Sequence, residues 1–139
     1  MATVRQFEDL HVWQTGQALA KEIFALCLTK RFAKEYVLTD QLRRAALSIP
    51  TNIAEGFERG TRSELIHYCY IAKGSAGELR SLLAFAFDAA FLSPADYEHL
   101  REMSLSLSRQ LTRFAEHLKR TQQEIKGVKF TIPKPREKV

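Results

Sequence analysis

Between Leu65 and Phe91 the chain runs for 27 residues with only four charges, at Lys73, Glu78, Arg80 and Asp88. Its apolar side chains point in nearly every direction around a helix. Such a helix has no wet face and is stable only where other elements surround it. Leu65, Tyr68, Ala72, Leu79, Leu83 and Ala86 make one stripe at helical spacing. Ile66, Tyr70, Ala84 and Phe91 lie on one flank, and Ile71, Leu82, Phe85 and Ala89 on the other. One bundle covers only one side of it. The pattern therefore calls for a second cover, and another copy of the chain is the expected one.

Three further helices supply the first cover. Asp9 precedes a stripe of Val12, Gly16, Leu19, Ile23 and Leu26, flanked by Trp13, Ala20 and Cys27, which predicts helix 1 from Asp9 to about Lys30. Thr39 or Asp40 is the expected cap of helix 2, whose core stripe is Leu42, Ala45, Ala46, Ile49, Ile53 and Phe57, with Gly56 and Gly60 marking its fraying end. Thr61-Arg62-Ser63-Glu64 has the spacing of a capping box and opens helix 3, expected to reach about Phe91. Ser93-Pro94 reads as N-cap plus first-turn proline of helix 4, with Asp96 favourable in the first turn. A heptad then runs from Tyr97 through Leu100, Ser104, Leu107, Leu111, Phe114, Leu118 and Thr121 to Ile125. The links are short, so neighbouring helices are expected to be antiparallel, in an all-α, up-and-down four-helix bundle over residues 1–126. Gly127 is the expected end of helix 4. Residues 127–139, with two prolines and dispersed charge, read as an extended, flexible basic tail.

Helix 2 contains a proline, in "SIPTNIAEGFERG". Pro50 removes one amide donor and crowds the carbonyl of Ala46, at about 3 kcal/mol in a helix interior. It predicts a kink, with Ser48 or Asn52 bonding the carbonyls it frees. A polar stripe of Arg44, Ser48, Thr51, Asn52, Glu55 and Arg59 lies opposite the core stripe. Between the two lies a strip of Arg43, Leu47, Pro50 and Ala54, apolar apart from the arginine. Either the proline is a tolerated bend around the core, or this strip belongs to a second interface. Together with helix 3 it favours self-association through Leu47, Pro50, Ala54, Ile66, Tyr70, Ile71, Leu82 and Phe85. Gly74, Ser75, Ala76 and Gly77 would permit close approach by another backbone, or tight packing inside one bundle.

The net charge of +5 sits mostly at the end. Residues 126–139 carry five basic residues against one acidic, which leaves the body near neutrality. Within the body, Lys30, Arg31, Lys34, Arg43, Arg44, Arg59 and Arg62 are the candidate surface for nucleic acid or a protein partner. Repeated around a ring, such patches become a belt of positive potential. Cys27 and Cys69 lack metal or redox spacing and read as buried thiols. The first twenty residues hold no basic stretch followed by an apolar run, and no long uncharged apolar run occurs, so a cytoplasmic protein with no membrane role is expected. Glu64-Leu65-Ile66-His67 has the Glu-x-x-His spacing of di-metal bundles, but the motif occurs once and Glu64 already serves the cap. "EGFERG" lacks the lysine of a phosphate loop, and no nucleophile has an assigned base. No enzyme, metal or cofactor is expected.

"FEDLHVWQTGQALA", "LTDQLRRAALSIPTNIAEGFERG" and "YIAKGSAGELRSLL" together resemble the 23S rRNA intervening-sequence family of small four-helix-bundle proteins, over about Phe7 to Leu118. That family is similar to the accessory variability protein of diversity-generating retroelements, a homopentamer that binds nucleic acid and its reverse transcriptase. The resemblance thus implies a homopentameric ring, with RNA or DNA and a reverse transcriptase or other protein as partners. Its signature falls on Arg43, Arg44, Ser48, Pro50, Asn52, Glu55 and Gly56, and on Gly74, Ser75, Glu78 and Leu79, in structural and assembly roles. Two departures stand out: Phe32-Ala33 where the family often has Phe-Pro, and Arg80 where an acidic residue is common. The function implied is a non-enzymatic oligomeric scaffold or nucleic-acid-binding accessory; the other reading is a protein-binding adaptor with no nucleic-acid role.

Overall fold

The helical periods of the sequence become four helices in the computed structural model, which describes residues 4–121. A short 3₁₀ turn at Phe7–Asp9 precedes α1 (His11–Cys27), α2 (Tyr36–Glu58), α3 (Arg62–Asp88) and α4 (Pro94–Arg120). No strand occurs among the described residues. The helices form a bundle in which α3 lies against both α2 and α4, α1 lies against α2, and α1 and α4 touch least. The tail assigned to residues 127–139 and the cap assigned to Gly127 fall outside the described residues.

Helix ends follow local hydrogen bonding, and several differ from the sequence expectation. Asp9 does not start α1: its carboxylate accepts from the Arg5 amide at 3.2 Å, and Leu10, extended and without a side-chain cap, precedes the helix instead. At the other end the Thr29 hydroxyl donates to the Leu26 carbonyl at 2.7 Å, closing α1 at Cys27, three residues short of Lys30. α2 starts at Tyr36, ahead of Thr39 and Asp40, and Thr39 is buried with its hydroxyl donating back to the Tyr36 carbonyl at 3.3 Å. Thr61 caps α3 as expected, accepting from the Glu64 amide at 3.2 Å, and Ser93 caps α4, accepting from the Asp96 amide at 3.1 Å.

α3 stops at Asp88, not Phe91. Ala90 takes a left-handed conformation (φ 65°), the Phe91 amide donates to the Ala86 carbonyl at 2.8 Å, and the Ala90 amide donates to the Phe87 carbonyl at 3.0 Å. These two bonds are those of a Schellman ending, which sequence reading associates with glycine. Alanine hides the signal. Arg31, from the α1–α2 loop, donates to the Ala90 carbonyl at 2.9 Å and ties the two loops together. Phe32 of the same loop is fully buried and packs on Phe91 at 5.7 Å between ring centroids.

The core is formed by the predicted stripes: Leu19 and Ile23, Leu42, Ile49 and Ile53, Leu65, Leu79 and Leu83, and Leu107 and Leu111 are all sealed from solvent. Ser104, also buried, is satisfied by donating to the Ala76 carbonyl at 3.1 Å, so a small residue on α3 brings α4 close. Gly56 does not fray. It lies buried inside α2, where a Cβ would stand 2.5 Å from the Tyr68 Cβ, so its missing side chain sets how closely α2 and α3 approach. Gly60 does follow the helix end, at φ 86°.

Pro50 is also corrected. It does not lie on an exposed strip but is buried inside the protomer against α1, where Gly16 makes room: a Cβ on Gly16 would meet Ile49 Cγ2 at 3.2 Å and Pro50 Cδ at 3.6 Å. α2 continues through the proline as one helix. Around it Thr51 donates to the Leu47 carbonyl at 2.8 Å and Asn52 Nδ2 to the Ser48 carbonyl at 2.7 Å. Carbonyls next to the gap in the ladder thus gain side-chain donors.

Both cysteines are buried and free. Burial pushes the Cys69 thiol from its usual 9.0 up to about 12. Burial also raises Cys27, with Arg43 pulling the other way. A thiol raised in the fold contributes stability that is fully present below about pH 9 and is lost as pH climbs toward the folded value. The parent protein is therefore expected to lose urea resistance between pH 8.5 and pH 11, with Cys69→Ala flattening part of that decline. An unchanged slope in the variant contradicts the assignment.

Candidate interaction surface

The two signature segments meet at one place. Ser48 of α2 and Ser75 of α3 share a hydrogen bond at 2.7 Å between hydroxyl oxygens, and Asn52 Nδ2 donates to the Ser48 hydroxyl at 2.8 Å. All three are at least partly buried, so the bonds are shielded from water and register the two helices against each other. Removing Ser75 alone leaves the Ser48 hydroxyl short of a partner. Ser75→Ala is expected to cost about 1 kcal/mol, and Ser48→Ala plus Ser75→Ala less than the sum of the single changes. A double-mutant cycle in urea reads this directly; strict additivity contradicts a coupled seam.

The predicted basic residues do not form one patch. Lys30, Arg31 and Lys34 lie in the loop before α2, with Arg31 committed to Ala90. Arg43 is half-buried over the Phe24 ring at 5.8 Å. Arg44 pairs with Asp40 at 3.3 Å. Arg59 and Arg62 lie beyond the other end of α2, roughly 22 Å from Arg44 at the helical rise. Arg59 approaches Glu55 at 3.8 Å and donates to the Tyr68 hydroxyl at 2.9 Å, stacking on the same ring at 5.4 Å. Arg62 has Nε and Nη2 enclosed without a partner among the described residues. Of the set, Lys30 and Lys34 are exposed and form no ion pair among the described residues.

The apolar set is more coherent. Phe85 is 60% exposed and Leu47 45%, and Tyr70 and Ile71 also reach solvent; Ala54, Ile66 and Leu82 are half-buried. Sequence reading missed Leu28, 80% exposed, and Val37, 76% exposed, with Tyr36 beside it. Leu28 lies inside the expected helix 1 but off its apolar stripe, and it falls one residue past α1, while Tyr36 and Val37 precede the expected start of α2. Leu28, Leu47, Val37, Leu82 and Phe85 line two mainly apolar grooves beside α2, each of about 440 Å³. One is lined by Phe24, Leu28 and Leu47, the other by Val37, Leu82, Phe85 and Phe91.

Of the small residues on α3, Ser75 and Ala76 face inward, whereas Gly74 is exposed and a Cβ there would meet nothing within 4 Å. Gly16 and Gly56 are explained by contacts inside the protomer, but Gly74 is not. Among the described residues no group of three or more His, Cys, Asp or Glu is placed to hold a metal. Among the described residues, no helix is long and apolar enough to cross a membrane.

Four helices about a single core, with two apolar grooves beside the second, define the class as an all-α helical bundle. Residues 8–113 match the family described as 23S rRNA-intervening sequence protein, and the chain belongs to that family. In fold it is similar to a protein of unknown function from the S23 ribosomal protein family of Bacteroides thetaiotaomicron, solved by crystallography at 1.70 Å. The two share 23% identity with a TM-score of 0.69, covering 76% of this chain and 95% of that one. Among curated proteins, none matches the chain.

Proposed function

We propose that the protein is a non-enzymatic, self-assembling bundle of the cytoplasm that acts as a scaffold or nucleic-acid-binding accessory. The observation that carries assembly is the pair of apolar grooves on either side of α2, with Leu28, Val37, Leu47 and Phe85 open to water. Patches of this kind mark surfaces that a partner covers. Two different grooves on one protomer suit a heterologous, head-to-tail contact, the kind that closes into rings. Gly74 supports the same reading: an exposed glycine within a helix costs about 1 kcal/mol relative to alanine, and only an approach from outside the protomer would make use of it. A pentameric ring is proposed from the likeness to the retroelement accessory protein, with a reverse transcriptase or other protein as a further partner. The up-and-down, antiparallel arrangement is supported by the pairing of Gly56 with Tyr68, Ser48 with Ser75 and Val37 with Phe85.

Nucleic-acid binding rests on the exposed lysines at the α1–α2 loop, multiplied around the oligomer, together with the basic end of the chain. It is tested by titrating the full chain, and the chain lacking residues 127–139, against RNA, DNA and an RNA–DNA hybrid across salt. The expected result is that the shortened protein still binds, with log K falling steeply against log salt because several phosphates are contacted. A specific observation favours a second reading, that of a protein adaptor. Arg44 and Arg59 are already paired with acids and Arg31 with a carbonyl, so few cations remain for phosphate. Binding that disappears with residues 127–139 favours the adaptor.

A further inference from the structure

Ile71, Gly74, Glu78, Ser81 and Phe85 recur along α3 at heptad spacing and are all exposed. They make a second seam on that helix, of the kind one helix offers to another. α1 carries a counterpart in Gln17, Lys21, Phe24 and Leu28, also at heptad spacing, which line the groove beside Leu47. Among the described residues Lys21 and Glu78 form no ion pair, and α1 and α3 do not touch. The α1 seam holds a cation at Lys21, with Arg43 over the Phe24 ring, whereas the α3 seam holds an anion at Glu78. Each seam therefore repels a copy of itself and attracts the other.

The two seams also lie at matching levels along the bundle. Gly16 of α1 stands against Ile49 and Pro50 of α2, and Cys27 Sγ lies 4.0 Å from the Thr39 carbonyl. On the other side of α2, Ser48 bonds Ser75 and Gly56 stands against Tyr68. Carried across α2, these pairings put Gln17 level with Gly74, Lys21 with Glu78 and Leu28 with Phe85, to within about one residue, roughly 1.5 Å of helical rise. On the up-and-down arrangement α1 and α3 run the same way, and a rotation about an axis along the bundle keeps every residue at its own level. We propose that α1 of one copy packs along α3 of the next, Gln17 over Gly74, Lys21 against Glu78 and Leu28 against Phe85. The missing side chain at Gly74 lets the two backbones close, the Lys21–Glu78 pair sets the register, and burial of Leu28 and Phe85 supplies affinity. Both seams lean toward α2, since Leu47 and Val37 of that helix line the two grooves. Each copy thus turns the row in the same sense, with α2 on the inner side. The contact rests on the self-assembly proposed above and names its two halves.

Added cysteines in the full chain test the contact, both native thiols being buried. Chains carrying Gln17→Cys are refolded together with chains carrying Gly74→Cys and oxidised mildly, and Lys21→Cys is paired with Glu78→Cys in the same way. The expected result is a disulfide between unlike chains in both mixtures. It should form about tenfold faster or more than in a mixture of Gln14→Cys with Glu78→Cys, whose levels lie about 10 Å apart, beyond disulfide reach. Links between like chains, equal rates in the offset mixture, or no link while the parent sediments as an assembly would each overturn the seam and leave self-assembly standing. A parent that sediments as a single chain removes self-assembly itself, and the seam with it.

Discussion

Gly56→Ala is expected to destabilise the protein by about 2 kcal/mol, although the same change in most exposed helix interiors stabilises by up to about 1 kcal/mol. The sign is set by α3. The new Cβ would stand 2.5 Å from the Tyr68 Cβ, a group fixed by the backbone of α3, and 3.4 Å from the Leu65 Cα. Relief requires α2 and α3 to separate along their shared length. Such a shift also stretches the hydrogen bond between Ser48 and Ser75, two turns away. Thermal melting should fall on the order of 5–10 °C at constant protein concentration. Gly74→Ala, where the added methyl meets nothing in the protomer, serves as the contrast and should leave the monomer's own stability unchanged or higher. A stabilised Gly56→Ala variant would refute the close approach.

Phe85→Asp is expected to convert the assembled protein into folded monomers. Phe85 is mostly exposed on the protomer, so an aspartate there does not disturb the core. In an assembly it would place a charge inside an apolar groove with Val37 and Leu82, and desolvating it without a partner costs several kcal/mol. A loss of even about 3 kcal/mol weakens association more than 100-fold. Leu47→Asp should act alike through the second groove, while Thr51→Asp, between them on the polar side of α2, should not. Helical circular dichroism of the variant should match the parent, and loss of helix would mean that Phe85 serves the fold.

Much of this fold is legible because helices repeat. The four core stripes and both hydroxyl caps, at Thr61 and Ser93, follow from periodicity and from side chains able to meet free amides. What escaped is what tertiary contact decides. Glycine at position 56 reads locally as a helix end, and only the nearness of Tyr68 reveals its role. Pro50 reads equally well as a bend around the core or as part of a second interface, and only its burial against α1, thinned by Gly16, decides for the core. Ala90 ends α3 without the glycine that normally announces such an ending. The candidate surface was half visible. Phe85, Tyr70 and Ile71 followed from a helix with too many apolar sides and Leu47 from the strip beside Pro50, whereas Leu28 fell off the apolar stripe read for helix 1 and Val37 lay before the assumed start of helix 2. The basic residues, adjacent on a list, separate toward opposite ends of α2 because a helix of 23 residues stands between them.

Sedimentation velocity of the purified full chain, at micromolar concentration and near-physiological salt, tests self-assembly most directly. A single discrete species at a whole-number multiple of 15.9 kDa, reduced to one chain mass by Phe85→Asp, is the predicted result. A parent protein that sediments at 15.9 kDa over the whole concentration range would contradict it.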